Sequence, residues 1–141
     1  MSERRVGADL RQRVSARARG CCEYCLSQSA YATQAFSVEH IVARARGGRS
    51  TVKNLALACQ GCNNHKYDKI VAIDPISRQQ VPLYHPRQDR WDEHFAWSDD
   101  LTLLIGLTPC GRATIDALYL NREGVVNLRR LLGAIGKHPP N

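Results

Sequence analysis

The sequence predicts an α+β protein of 141 residues organised on a ββα unit, preceded by a helix and followed by an extension of short hairpins and two helices. Three observations lead there. Two CxxC pairs, Cys22-Glu23-Tyr24-Cys25 and Cys59-Gln60-Gly61-Cys62, bracket one segment of the chain. Inside it, a partly alternating run ending at His40, a polar Gly-rich stretch and a second alternating run from Leu55 to Ala58 read as strand, loop, strand. The second CxxC then opens a helical stretch through Asn63 to about Lys69.

Each element has a local reason. From Ala8 to Arg19, Leu10, Val14 and Ala18 recur at i, i+4, i+8 with Arg11, Arg13 and Arg17 elsewhere, which predicts a short amphipathic helix released at Gly20. Between Tyr31 and His40, Phe36 and Val38 fall on one side of a strand and Ala35 and Ser37 on the other. Arg44 to Ser50, with Gly47-Gly48 and three arginines, is too long for a two-residue turn and predicts a loop. Leu55 and Leu57 alternate with Ala56 and Ala58 in the return strand. Downstream, Ile70–Ile73 with Val81–Tyr84, and Phe95–Trp97 with Leu101–Leu107, predict two more hairpins. Thr108-Pro109 predicts a cap with proline at the first helical position, a helix to about Asn121 and a last one from about Val125 to Ile135. The length suits a single domain over 1–141, with a core over 20–70 and an accessory extension over 71–141.

The net charge of +7 is unevenly placed. Residues 1–70 hold 12 Lys/Arg against 5 acids, and the rest carry eight of each sign. The excess therefore travels with the cysteine block and the arginine-bearing helix, where a polyanion would be held. No run approaches the ~18 apolar residues of a membrane span, and Met1 to Arg5 has no apolar leader, so a cytoplasmic protein without a membrane partner is expected. A reducing compartment leaves thiolates free to take metal, and four cysteines as CxxC, 33 residues, CxxC suit a tetrahedral zinc site: Cys22, Cys25, Cys59 and Cys62. Cys21 and Cys110 have no partner at ligand spacing and read as ordinary buried thiols.

Glu39-His40 closes the first strand, where neighbours point to opposite faces. A carboxylate towards the helix suits a hard divalent ion, and a neutral imidazole on the other side can draw a proton from water. Phosphodiester hydrolysis asks for that pair of functions.

Taken together, Glu39-His40-Ile41, Gly47-Gly48, Asn54-Leu55 and Cys59-x-x-Cys62-Asn63-x-x-Lys66 resemble the HNH endonuclease motif over roughly residues 20–70. Residues 85–120 are similar to small bacterial HNH proteins. The resemblance implies a ββα-metal core. It implies His40 as general base, Glu39 as a ligand of a catalytic Mg²⁺ or Mn²⁺, and Asn54 as the residue that bonds across the loop and holds the base in line. It also implies Asn63 as second metal ligand and Lys66 at a phosphate. His65 is the alternative to Asn63; ~200° apart on a helix, the two cannot face one ion. Ala43 stands where the family commonly has proline.

The expected function is metal-dependent hydrolysis of DNA phosphodiester bonds, with structural Zn²⁺ and with Arg11, Arg13, Arg17, Arg44, Arg46 and Arg49 contacting phosphates. A homodimer or a larger nuclease complex is compatible with this. The competing expectation is a zinc-stabilised nucleic-acid-binding module that does not cut, or a subunit active only in a complex.

Overall fold

In the computed structural model, which describes residues 6–140, the first element is helix α1 (Ala8–Arg17). Arg4 and Arg5 of the basic half lie outside the described residues. Val14 is fully buried, with Leu10 and Ala18 packed beside it, as the apolar stripe requires. Arg17 pins the helix down: its guanidinium donates to Val52 O at 2.9 Å and Leu55 O at 2.7 Å.

Strands β1 (Ser37–His40) and β2 (Leu55–Ala58) form an antiparallel pair with Ser37 opposite Ala58 and His40 opposite Leu55. All four β2 residues are buried, which explains why the strand is a run of Leu and Ala with no polar face. β1 starts at Ser37 rather than Tyr31, a correction with a simple cause. The chain leaves β2 at Cys59, so nothing remains for residues before Ser37 to pair with, and Ser29–Tyr31 form a 3₁₀ turn. Cys59 has extended backbone at the N-cap of α2 (Gln60–Lys66), so that helix opens within the second CxxC as the sequence predicts and ends about three residues earlier, at Lys66.

The extension contains hairpin β3 (Val71–Ile73) with β4 (Gln80–Pro82), and hairpin β5 (Phe95–Trp97) with β6 (Leu104–Gly106). Between them lies a one-turn helix, α3 (Trp91–His94), too short for periodicity to signal. Helix α4 (Pro109–Leu118) is capped as expected, Thr108 Oγ1 accepting from Gly111 N at 3.0 Å. It stops at Leu118, before Asn121, because Tyr119 takes a left-handed backbone (φ 52). Helix α5 (Glu123–Ala134) is last.

The extension packs on the ββα unit through one continuous apolar core that includes Val14, Tyr24, Leu55, Phe95, Leu118 and Leu120. Two charged side chains reinforce that junction. Arg129, 4% exposed, donates to Thr102 O, Leu120 O, Asn121 Oδ1 and Cys25 O, and its guanidinium stacks 5.1 Å from the centre of the Trp97 ring. Glu23 pairs with Arg87 and also accepts from Leu57 N at 2.9 Å. Among the described residues no helix is long and apolar enough to cross a membrane.

Candidate functional site

The two CxxC turns bring Cys22, Cys25, Cys59 and Cys62 together, their sulfurs all within 4.8 Å of one another and all four residues buried. Each turn comes from a separate element: the first follows α1, and the second forms the start of α2. Glu23 N donates to Leu57 O at 2.9 Å, so the first knuckle lies along β2 and its position is set by the sheet. Four buried thiols this close cannot all ionise without a cation. Hydrogen bonds from Cys22, Cys25 and Cys62 hold Cys59 far below the ordinary thiol range, while burial pushes Cys22 up. A tetrahedral zinc ion resolves that conflict, and the donor set fits it. Sequence reasoning missed a further partner. Arg122, at the N-cap of α5, donates to Cys59 Sγ at 3.3 Å and to Cys62 Sγ at 3.6 Å.

On the other side of α2 lies an open cleft of about 700 Å³, lined among others by Arg11, Glu39, His40, Arg44, Asn63 and Tyr67. The i, i+4 geometry of α2 sorts its side chains. Cys62 and Lys66 are buried, Asn63 and Tyr67 border the cleft, and the His65 ring packs on Tyr119 with centroids 4.7 Å apart. Of the two alternatives for the last motif position, Asn63 alone borders the cleft; His65 is turned away, correcting its inclusion as a metal ligand.

Glu39 and His40 do face different surroundings. The Glu39 carboxylate, 6% exposed as a residue, accepts from the Tyr24 hydroxyl and lies 3.4 Å from Lys66 Nζ. Burial lifts its carboxyl above the ordinary carboxylate range, against the pull of the Lys66 charge and the Tyr24 hydroxyl. A carboxylate has about four lone-pair positions, so the two oxygens retain capacity for a hard ion, and Asn63 borders the same cleft. The Lys66 ammonium is 1% exposed and donates to Ile41 O at 2.7 Å. It holds the start of the loop rather than a phosphate, which corrects the sequence expectation. His40 Nε2 is 2.8 Å from Ser50 Oγ, across the Gly-rich loop.

Asn54 closes that loop. Its Oδ1 accepts from Val42 N at 2.9 Å, and its Nδ2 donates to Val42 O at 3.0 Å and Arg49 O at 2.9 Å. The clamp explains the Gly pair: Gly47 has φ 92, and a Cβ on Gly48 would lie 1.7 Å from Val42 O and 2.8 Å from Asn54 Nδ2.

The arginines divide. Arg11 and Arg44 border the cleft; Arg13 and Arg49 are exposed; Arg46 is engaged with Asp68, its Nε donating to Asp68 O at 2.8 Å. Arg17 spends its guanidinium on two carbonyls, so its first task is structural. Ser50, Tyr67 and Asp68 are cleft or loop residues that the sequence motif did not flag, because nothing in their spacing announces them. Tyr67, 76% exposed and with φ 52, presents an aromatic ring at the rim.

Residues 22–69 match the family model described as HNH endonuclease. No curated protein and no solved structure matches the chain. The matched segment spans both knuckles, the β1–β2 pair, the clamped loop and α2, each found here with the geometry described above. Residues 22–69 are thus similar to the HNH endonuclease family in sequence and carry a ββα core with a four-cysteine cluster suited to zinc.

Proposed function

We propose that the protein is a metal-dependent endonuclease that hydrolyses DNA phosphodiester bonds in the cleft between β1 and α2. One observation carries the reading: His40, Glu39 and Asn63 border a single cleft with two arginines beside it. His40 takes the proton from a water molecule placed in the cleft, and the water oxygen attacks phosphorus as the bond to the 3′ oxygen breaks. Ser50 Oγ orients the imidazole, and Asn54 keeps the loop that carries Ser50 at a fixed distance from β1. Glu39 and Asn63 are the residues that would hold Mg²⁺ or Mn²⁺, and such an ion supplies positive charge to the phosphoryl and leaving oxygens. Arg11 and Arg44 attract and position the phosphate backbone. Zinc in the cysteine cluster would tie the first knuckle to the start of α2, the helix that carries Asn63. The extension from residue 71 folds together with this core as one domain. Four free thiols suit a cytoplasmic setting.

A second reading has its own observation. The Lys66 ammonium already lies against the Glu39 carboxylate, where it can stand in for a cation, and a protein of that kind would bind nucleic acid without cutting it or cut only with a partner. Supercoiled plasmid separates the two. Nicking with Mg²⁺ or Mn²⁺, lost in a folded and zinc-loaded His40→Ala variant, supports the nuclease. Binding without nicking under every ion supports the module.

A further inference from the structure

Outside the cleft and the cysteine cluster, Asp89, His94 and Cys110 each offer a ligand atom, and these three atoms lie within 4.8 Å of one another. We propose that this trio is a second transition-metal site, one that takes zinc through a carboxylate oxygen, an imidazole nitrogen and a thiolate.

The three residues come from three parts of the extension. Asp89 ends a tight turn in which His85 N donates to its Oδ2 at 2.8 Å and Asp89 N donates back to His85 O at 2.8 Å. His94 is the last residue of α3, and Cys110 lies in the first turn of α4. All three are half-buried, so an ion there would be shielded from solvent on several sides.

The supports of each ligand are those a metal site needs. His94 Nδ1 is 2.6 Å from Thr108 Oγ1, the hydroxyl that caps α4, so the ring is held by the same residue that fixes the helix start. With Nδ1–H donating to that hydroxyl, Nε2 keeps its lone pair for an ion; metal-bound imidazoles are oriented in this way. Gly111 completes the fit, since a Cβ there would lie 2.1 Å from His94 O. Asp89 has no ion pair among the described residues, and its second oxygen is open to a cation. Asp89 also borders a cavity of about 250 Å³ that Tyr84 and His85 line.

The donor set selects the ion. Thiolate and imidazole with one carboxylate favour zinc over magnesium or calcium, and three protein ligands with one open position are the pattern of zinc sites that keep a water. Such an ion would clip the 85–89 turn, the end of α3 and the start of α4 together without any disulfide.

Metal analysis of the full chain, loaded with zinc and freed of excess, tests this without reference to any activity. The expected result is two zinc ions per chain, falling to one in Cys110→Ser, in His94→Gln and in Asp89→Asn. Cobalt substitution provides a reading that needs no variant. The wild type should bind two Co²⁺, the second adding visible bands of a single-thiolate site to those of the tetrathiolate. One zinc per chain in the wild type overturns the proposal, as does a second zinc that persists in all three variants.

Discussion

Lys66 Nζ stands 3.4 Å from Glu39 Oε1, with both side chains almost wholly out of solvent, and donates to Ile41 O at 2.7 Å. A buried ammonium needs its partners, and removing one member of such a pair leaves the other uncompensated. Lys66→Ala is expected to lower stability by about 3–5 kcal/mol in urea unfolding. Glu39→Gln combined with Lys66→Met should recover much of that loss. If the single variant unfolds at the wild-type midpoint, the pair contributes nothing to the fold.

The Tyr24 hydroxyl holds the second oxygen of Glu39. Tyr24→Phe keeps the ring in the core and removes only that bond, so the expected cost is about 1–3 kcal/mol with unchanged zinc content. Under the nuclease reading it also weakens Mn²⁺ binding in the cleft, measurable by isothermal titration. An unaltered Mn²⁺ isotherm would mean that Tyr24 serves packing alone.

Ser50 is 2.8 Å from His40 Nε2 and lies on the far side of the loop that Asn54 clamps. His40→Ala should reduce plasmid nicking by about 10²–10⁴-fold. Ser50→Ala should fall less far, move the acidic limb of the pH–rate curve, and be restored by Ser50→Thr. A Ser50→Ala enzyme with an unchanged pH–rate curve would remove Ser50 from any role in orienting the base.

Arg122 reaches two sulfurs from the N-cap of α5. Its hydrogen bonds temper the negative charge of a zinc tetrathiolate, and partners of this kind are worth about 10–100-fold in metal affinity. Arg122→Ala should surrender zinc to a chelator more readily by that factor, while a conservative Lys restores only part because it offers one point charge instead of a fork.

Asp74 is fully buried and meets Arg112 through two bonds, Nε to Oδ1 at 2.9 Å and NH2 to Oδ2 at 2.8 Å. The guanidinium, with help from Ser77 N and Ile76 N, holds its carboxyl well below the ordinary carboxylate range. A carboxyl depressed in the folded state stabilises fully above its unfolded value, near 3.9, and that contribution is lost as pH falls below it. Asp74→Asn should therefore be clearly less stable than wild type at pH 7. The two should converge as pH drops from about 4 towards the folded value. Denaturant midpoints at several pH values check this, and a gap independent of pH would assign the effect to packing.

Much of the ββα unit was legible because its signals are local. The CxxC turns, the Gly47-Gly48 pair and the alternation of Leu55 to Ala58 each fix the backbone near themselves, whereas the bond of Asn54 across the loop was implied by the family resemblance. The sequence misplaced what depends on distant chain. The start of β1 is set by where β2 ends. The resemblance puts Lys66 at a phosphate until Glu39 and Ile41 O are seen beside it. Arg122 meets sulfurs sixty positions earlier, and no spacing rule connects them. Asp89, His94 and Cys110 are likewise joined only by the packing of α3 and α4.

The separation between Arg122 and the thiols it serves also orders events on the ribosome. Every cysteine of the cluster has been synthesised by residue 62, whereas the guanidinium that balances two of them arrives with residue 122. An emerging chain can capture its ion first and gain the counter-charge afterwards, as α5 is laid down. Excised at residues 20–70, the family segment would carry its four sulfurs without that partner, so a fragment is a poor stand-in for the intact chain wherever metal retention is at issue.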